Sequence, residues 1–441
     1  MKEWILSQLA HSGDVESRTL KSLQMEIDII FIRSVCDSKF IIKNMITPFF
    51  EMVSEIEYQR YLESFPECLV VGQEDQIPEA MLSGYVVVLF TDQVLLFKAM
   101  KYEASPVDMA KVETVVQGPE NAFTENIQVN LNLLRNRYRS TNLKIEIIKM
   151  GTRSPTSMAL VYDEEIVDQM VLKEFRTRLE GINMDLLQSS GQLHQALSKK
   201  KMDLFPTMML TERPDRTVKN LAEGKVVLII EGTPFVMVVP TVFYDFFSSM
   251  DDSIQLPMVG RFLIVIRYVG LMLATGLPAF YVGLTSYNPE LLRVQLALMI
   301  AGSRAAVPYP SFLEVLFMLL MMEFLTEASV RLPKVIGPTA TTVGGLILGQ
   351  AATEAGLVGN IMIIIVAAVA ISNFVIPINM MSFAVRVVKY GLLLAATLFG
   401  MVGIVVGYIA LIMYLVNLRS FGKPYLQLYK QDYPQKKGDE S

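Results

Sequence analysis

The feature that most constrains this chain is an abrupt change of composition in its second half. Charged residues are frequent up to Asp252 and sparse from there to Arg419, and 52% of the 441 residues are hydrophobic. A change of this size indicates a change of solvent, from water to lipid. We therefore expect a soluble domain at residues 1–245, a linker at 246–260, a membrane domain at 261–418 and a polar tail at 419–441.

The polar half alternates between strand and helix patterns. Apolar positions between Phe123 and Tyr138 recur at steps of three and four, which predicts an amphipathic helix. Short runs rich in β-branched residues predict strands, and two pairs of runs joined by turn residues predict hairpins. The predicted strands lie at 26–35, 85–91, 94–99, 145–147, 158–162, 226–230 and 235–239. This alternation predicts an α/β domain in two subdomains.

No catalytic or phosphate-binding pattern stands out in the polar half. The sequence contains no G-x-x-x-x-G-K-[ST], G-x-G-x-x-G, G-x-S-x-G or H-E-x-x-H motif. His11 and His194 are the only histidines and lie far apart, which leaves little for a histidine-based centre. The turn at 231–234 lacks the lysine and the helix of a phosphate loop. We expect neither an enzyme nor a metal or cofactor site.

The net charge disfavours one class of partner, and the cysteines and the N-terminal sequence indicate a cytoplasmic location for the polar half. A net charge of −5 argues against a nucleic-acid partner, which requires a clustered basic face. Cys36 and Cys68 have no metal-ligand spacing and are too few for a disulfide framework. The first 30 residues lack an apolar core followed by a cleavage site, so we expect no signal peptide.

The apolar half has room for about four to six membrane helices. Phe262–Leu284 carries one charge, Arg267, and is long enough to cross about 30 Å of hydrocarbon. Tyr390–Leu418 is the clearest span, because it is uncharged and lies between Lys389 and Arg419. Further stretches lie at 291–300, 312–325, 335–353 and 355–385. Basic residues near almost every boundary leave the orientation open.

Polar side chains inside the apolar half are the candidate gating residues. Glu323, Glu327 and Arg331 are spaced four apart and share a helix face. Burying such a charge in lipid costs at least about 2.5–3.5 kcal/mol, so each must pair or face water. The alternatives are an interfacial helix with an i,i+4 ion pair and a charged gate in a permeation path.

The stretch 337–356 is rich in Gly, Ala and Thr and places Gln350 and Glu354 on one face. Gly345 and Gly349 form a G-x-x-x-G pattern, which allows close helix packing. Helix packing alone is one explanation for these residues, and a pore-lining helix is the competing hypothesis.

Two further features interrupt the hydrophobic pattern nearer the end of the chain. Gly403 and Gly407 form a second G-x-x-x-G pattern, which predicts helix packing. Asn373, Pro377 and Asn379 break another apolar stretch. The break is either a simple kink or a site at which backbone carbonyls meet an ion.

Ten short motifs occur in order over about 310 residues. They are Gly118–Glu120 with Phe123 and Glu125, Gly151–Ser154, Phe205–Pro206, Thr211–Arg216, Glu231–Phe235, Glu323–Pro333, Gly349–Ala352, Ala355–Val358, Ile371–Phe374 and Arg419–Leu426. In this series the chain resembles the A subunits of GerA-type spore germinant receptors, membrane complexes that sense nutrients in endospore-forming bacteria.

The resemblance implies a subunit of the spore inner membrane whose N-terminal domain faces the spore core. It implies a transporter-like B subunit and a lipoprotein C subunit as partners. It also implies a homo-oligomer that forms or gates a nutrient-responsive channel for monovalent cations. The alternative is an accessory scaffold protein of the germination machinery that neither binds nutrient nor conducts ions.

Two segments depart from the pattern of that family. Cys36–Met52 is short and lacks a Tyr-x-Asp-Gly-like turn, so the first subdomain is expected to be trimmed. Met250–Ser253 stands where the family usually has an acidic residue and paired tyrosines. We expect the soluble domain to couple to the membrane domain differently here.

Overall fold

The computed structural model describes residues 1–22, 25–71, 74–101, 109–115, 117–198, 203–333 and 337–427. Residues 428–441 of the predicted tail and the first two residues of the stretch predicted at 335–353 lie outside this set. The described chain forms two sheet-containing subdomains followed by a helical domain.

Subdomain 1 is a five-stranded antiparallel sheet with helices on both faces, within residues 1–101. Strand β2 explains this layering, because Ile27, Ile29 and Phe31 enter one core and Ile30 and Ile32 enter the other. Its helices are α1 Lys2–Gln8, α2 Ser38–Ile41, α3 Thr47–Glu51, α4 Glu55–Glu63 and α5 Gln76–Leu82, with a π-helical turn at Ile42–Ile46. Its strands are β1 Val15–Lys21, β2 Glu26–Ile32, β3 Cys68–Val70, β4 Tyr85–Leu89 and β5 Val94–Lys98.

Subdomain 2 follows from Ile127 to about Phe247 and is also a five-stranded antiparallel sheet. Its helices are α6 Ile127–Arg137, α7 Gln169–Glu180, α8 Ser190–Leu197 and α9 Pro214–Ala222. Its strands are β6 Leu143–Met150, β7 Thr156–Asp163, β8 Met209–Thr211, β9 Val226–Ile230 and β10 Val236–Val239. The predicted hairpins at β4–β5 and β9–β10 are confirmed.

The two subdomains repeat one topology. The strand orders are β1-β2-β4-β5-β3 and β6-β7-β9-β10-β8, so the third strand of each set forms an edge. In both sets a short helix, α5 or α9, precedes the fourth strand. The prediction of an α/β domain in two subdomains is confirmed, and the strand pairings within both sheets are antiparallel.

A buried ion pair joins the two subdomains. Arg135 of α6 donates from Nε and Nη2 to Asp14 at 3.1 and 2.9 Å, and both side chains are at most 2% exposed. Ser12 and Ser34 donate to the same carboxylate at 2.6 Å. Burial alone raises the pKa of Asp14, but the Arg135 charge and these hydrogen bonds outweigh it and hold the pKa below its usual range.

The helical domain packs on subdomain 2. Its helices are α10 Asp251–Ile254, α11 Pro257–Ser286, α12 Val294–Ser303, α13 Ser311–Arg331, α14 Gly337–Glu354, α15 Asn360–Phe374 and α16 Asn379–Asn417. A short hairpin of β11 Arg419–Ser420 and β12 Lys423–Pro424 follows. In the described part of the chain, α11 and α16 are long and apolar enough to cross a membrane.

The long helices run alternately away from subdomain 2 and back towards it. We call the end beside subdomain 2 proximal and the opposite end distal. Helix α11 starts proximally, where Tyr268 packs on Phe247 with ring centroids 5.1 Å apart. Its last residue, Ser286, shares a hydrogen bond with Ser311 at the start of α13, so α13 begins distally. Helix α14 ends at the distal side, because Gly356, just after α14, approaches Ala306, just after α12.

Helix α16 is folded in two at Gly400. This residue has φ 61° and ψ −140°, values outside the helical region. The ideal Cβ position of Gly403 lies 2.1 Å from the carbonyl oxygen of Ala395, and that of Gly407 lies 2.7 Å from Leu392. Residues 379–399 and 401–417 therefore form two arms packed side by side, about 30 and 25 Å long. The prediction of one span at 390–418 is wrong, and Gly403 and Gly407 pack against the other arm.

The segments predicted as a free linker and a polar tail are part of the folded core. Phe246 and Phe247 are buried with residues of α11 and α16 in one hydrophobic core, and α10 lies within the predicted linker at 246–260. In the predicted tail at 419–441, Phe421 and Tyr425 are 1% and 0% exposed. Subdomain 2 and the helical domain thus share a core, and the expected boundaries at 245 and 418 cut through it.

We expect Arg135→Met to destabilise subdomain 1 by about 3–5 kcal/mol at pH 7, because the Asp14 carboxylate is left buried without its partner. The single tryptophan, Trp4 in α1, reports denaturant unfolding of the full chain by fluorescence. Exposed Arg139→Met is the control and should change the free energy of unfolding by less than about 0.5 kcal/mol.

The pH dependence of the stability lost in Arg135→Met provides a second test of the ion pair. The wild-type carboxylate has a lowered pKa, so its stabilising contribution is present above about pH 4 and is lost as pH falls further. In Arg135→Met the lone buried carboxyl binds a proton more readily, so the deficit relative to wild type should shrink on acidification. A deficit that grows towards acid pH would contradict the ion-pair account.

Candidate functional site in the helical domain

A partly buried charge cluster joins α13 to the first arm of α16. Glu323 lies 3.0 Å from Lys389 Nζ and 3.4 Å from Arg386 Nη1. Lys389 and Arg386 are three residues apart, so both face α13. The Lys389 side chain, which borders the predicted span at 390–418, is 3% exposed. Pairing compensates part of the cost of placing these charges among apolar helices.

The end of α15 completes the surroundings of this cluster. Asn373 in its last turn has a buried Oδ1 atom for which the described residues supply no hydrogen-bond donor. Asn373 lines a cavity of about 20 Å³ together with Glu323, Arg386 and Lys389. Among the residues that the structure describes, no three His, Cys, Asp or Glu side chains are grouped to hold a metal ion.

The three charges predicted to share a face of α13 divide into two sets. Glu327 and Arg331 form an i,i+4 ion pair of 2.7 Å, with side chains 65% and 77% exposed. Glu323 does not join them and pairs with α16 instead. The exposed pair is worth less than about 1 kcal/mol, whereas the Glu323 contacts fix one helix against another.

Helix α14 carries the polar face predicted for it. Gln350 donates from Nε2 to Glu354 Oε1 at 3.0 Å, and both side chains are exposed. Its glycines face inwards, since the ideal Cβ positions of Gly345 and Gly349 lie 3.4 Å from Leu325 and 3.9 Å from Ile363. The small residues thus pack α14 on α13 and α15, while the amide and carboxylate point away from the bundle.

The predicted helix break lies at the proximal end. Helix α15 ends at Phe374 and α16 begins at Asn379, so Pro377 falls between them. Ile376 and Ile378 are buried in the core shared with subdomain 2. The break is therefore the point where two helices meet beside subdomain 2, which disfavours the hypothesis of a helix opened in mid-membrane.

Two further ion pairs were not predicted from the sequence. Arg267, the single charge of the first predicted span, donates from Nη2 to Asp252 at 2.8 Å and from Nη1 to the Phe247 carbonyl at 3.0 Å. Glu314 is buried at the distal end and accepts hydrogen bonds from Arg304 Nε at 3.1 Å and the Gly359 amide at 2.7 Å. Neither pair has a diagnostic spacing, because a turn or loop separates the partners.

Most of the chain is similar to spore germination proteins. The sequence model of the Bacillus/Clostridium GerA spore germination protein family matches residues 3–439. Spore germination protein GerLA of Bacillus cereus is 36% identical over 372 residues, which cover 83% of this chain and 76% of that protein. Spore germination protein KA of Bacillus subtilis (strain 168) is 32% identical over 430 residues, which cover 95% of this chain and 79% of that protein.

A solved structure is also similar to part of this chain. It is the crystal structure of the N-terminal domain of the A subunit of the Bacillus megaterium spore germinant receptor GerK3. The match has a TM-score of 0.42 and 22% identity, and it covers 55% of this chain and 94% of that domain.

We expect Lys389→Met to destabilise the helical domain by on the order of 3 kcal/mol, because Glu323 loses its nearer partner. Glu327→Gln, one turn further along α13, breaks only the exposed pair and should cost less than about 1 kcal/mol. Thermal unfolding of the purified full chain in detergent measures both. Equal losses of stability in the two variants would show that the Glu323 cluster stabilises the helical domain no more than the exposed pair does.

Proposed function

Because the chain belongs to the Bacillus/Clostridium GerA family of spore germination proteins, we propose that it is the A subunit of a spore germinant receptor. In this proposal copies of the helical domain assemble in the spore inner membrane and form or gate a channel. The channel responds to nutrient and passes monovalent cations, which starts germination. A transporter-like B subunit and a lipoprotein C subunit complete the receptor.

The observation that carries the channel proposal is the outward face of α14. Much of the exterior of the helical domain is apolar, with Val402, Val405 and Ile409 of α16 each more than half exposed. Gln350 and Glu354 are polar and equally outward-facing. A charge costs at least about 2.5 kcal/mol at the centre of a membrane helix, and Glu354 is the last residue of α14, so we infer that this end of α14 faces water or a second copy of the chain.

The distribution of basic residues supports a cytoplasmic N-terminal domain. Arg261, Arg331 and Arg419 lie at the proximal end, on the side of the two subdomains, whereas Arg293 and Arg304 lie distally. Because α16 doubles back at Gly400, Arg419 falls on the proximal side, which removes the conflict that a single last span would create. By the positive-inside rule, this distribution supports a location of both subdomains in the spore core.

A scaffold role is the second candidate, and one observation favours it. Gly345 and Gly349 pack against Leu325 and Ile363 of the same chain, so the small residues of α14 are explained without a pore. A scaffold would still place the polar face of α14 against a partner. The two candidates differ in whether ions pass the face formed by Gln350 and Glu354.

Conductance of the full-length protein in planar bilayers tests the channel. We expect discrete cation-selective openings, and Glu354→Ala should lower the unit conductance because the loss of a nearby charge reduces the local cation concentration about fivefold. Gln350→Leu should reduce it less. Leu346→Ile, an exposed apolar position on the same helix, is the matched control and should leave conductance unchanged.

The outcomes separate the two candidates. Openings that Glu354→Ala does not alter would remove α14 from the conduction path. A silent bilayer from protein that is folded and oligomeric would favour the scaffold. Ion release from spores that carry Glu354→Ala, at unchanged protein level, provides the same comparison in the assembled receptor.

A further inference from the structure

The last described residues form a latch on subdomain 2, which we define as residues 419–427. It begins directly after α16 and folds into the hairpin β11–β12, in which Ser420 pairs with Lys423. Phe421 and Gly422 form the turn with φ values of 45° and 87°. A phenylalanine rarely adopts this left-handed conformation, so the surrounding structure must hold it there.

The latch inserts one aromatic ring into the core on each face of the subdomain 2 sheet. Phe421 is 1% exposed in the core of α7 and α8, where it packs on Phe175 with ring centroids 5.4 Å apart and under the Arg178 guanidinium. Tyr425 is 0% exposed in the opposite core, beside Phe243. Withdrawal of the latch would expose both rings to water.

Polar contacts fix the latch in register on the ends of β8 and β10. Ser420 Oγ donates to the Thr207 carbonyl at 2.6 Å and accepts from the Thr241 amide at 3.0 Å. Tyr425 OH donates to the Pro206 carbonyl at 2.7 Å. The carbonyl of Tyr425 accepts from the Phe243 amide at 2.9 Å.

One further contact reaches a different element of subdomain 2. Lys423 forms an ion pair with Asp168, the N-cap residue of α7, whose carboxylate also accepts from the Met170 and Val171 amides. Burial raises the pKa of Asp168, but Lys423 and these amides outweigh it and lower the pKa overall.

The second arm of α16 is bound to the same part of subdomain 2. The Tyr425 amide donates to the Leu418 carbonyl at 3.1 Å, which connects the latch to the end of the arm. The Leu204 amide donates to Tyr414 OH at 3.1 Å. The Phe205 and Tyr414 rings lie 6.2 Å apart. Arm and subdomain thus meet through the latch and through the segment that leads into β8.

The other end of this arm is the break in α16 at Gly400. At Gly400 the chain leaves the helical conformation, and the ideal Cβ position of this glycine lies 2.7 Å from the ring of Tyr287. A side chain there would collide, and only glycine adopts this φ without strain. Glycine is a usual site of a sharp break in a helix, so the change of chain direction is confined to this residue.

We propose that the latch couples residues 401–417 to subdomain 2, so that a displacement of subdomain 2 is transmitted to this arm and changes its packing against α11 and residues 379–399. The latch stays closed throughout and acts as a rigid coupling. The consequence for ion flow rests on the proposed channel function, whereas the coupling itself does not.

The first test weakens the latch in the full-length protein. Tyr425→Ala removes the ring and Tyr425→Phe removes only the hydroxyl, while Asn417→Ala, an exposed residue on the same arm, is the matched control. Trypsin cleavage after Arg419, read by mass spectrometry in lipid nanodiscs, reports undocking independently of conduction, because Ser420 is buried when the latch is closed. We expect cleavage in the order Tyr425→Ala, Tyr425→Phe, then wild type and Asn417→Ala alike.

The same variants then test the coupling. With folding confirmed by circular dichroism, Tyr425→Ala should lower stimulated ion release from spores at least tenfold, Tyr425→Phe should lower it less, and Asn417→Ala should leave it unchanged. An undocked Tyr425→Ala protein that is folded, present at normal level and releases ions normally would overturn the proposal.

The second test locks the latch with a disulfide. Ser420→Cys and Thr241→Cys replace two residues joined by the hydrogen bond from the Thr241 backbone amide to Ser420 Oγ, in a Cys68→Ser background that leaves Cys36 as the buried native cysteine. The oxidised protein should respond as the reduced protein does and should restore the response of Tyr425→Ala. A response that is lost on oxidation and regained on reduction would show that the latch must open, which overturns rigid coupling.

Failure of the channel proposal has a different signature. If the wild-type protein passes no ions in bilayers and Glu354→Ala spores release ions normally, the conduction role is wrong. Hydrogen exchange of the full chain still decides the coupling in that case. Undocking by Tyr425→Ala should speed exchange both in residues 401–417 and around β8, and exchange confined to residues 419–427 would contradict it.

Discussion

The structure depends on the cost of burying a charge without a partner. Four ion pairs, each with at least one nearly inaccessible side chain, lie at the principal junctions. Asp14–Arg135 joins the two subdomains, and Asp252–Arg267 joins the linker region to α11. Glu314–Arg304 lies among the connections at the distal end. Glu323–Lys389 lies between α13 and α16. Because separation leaves two desolvated charges, each pair favours one arrangement of its elements over the alternatives.

The outward face of α14 is the exception to this rule. The carboxylates of Glu314 and Glu323 pair with basic side chains inside the bundle, whereas Gln350 and Glu354 hydrogen-bond to each other and are exposed. Paired interior charges account for stability, and an exposed amide and carboxylate on an apolar exterior do not. This difference makes α14 the part of the helical domain for which water, ions or another copy of the chain is the natural neighbour.

Subdomain 2 connects the other parts of the molecule. One face of its sheet shares a core with α11 and both arms of α16, and the other face receives Phe421 from the latch. Subdomain 1 repeats the same topology and is attached through the Asp14–Arg135 pair. Subdomain 1 is therefore connected through subdomain 2 to α11 and α16.

The sequence by itself determined the features that depend on near neighbours. Runs of β-branched residues and the turns between them placed β2 and the two hairpins, and composition separated the polar half from the apolar half. Four-residue spacing gave the Glu327–Arg331 pair and the face of Gln350 and Glu354. Only the tertiary structure decided the fold of α16 at Gly400, the repeated sheet order, and the partners of Glu323 and Tyr425. The reason is physical: a helix or strand follows from the periodicity of adjacent residues, whereas the partner of a buried charge or ring 66 or 219 residues away is set by packing that no local spacing records.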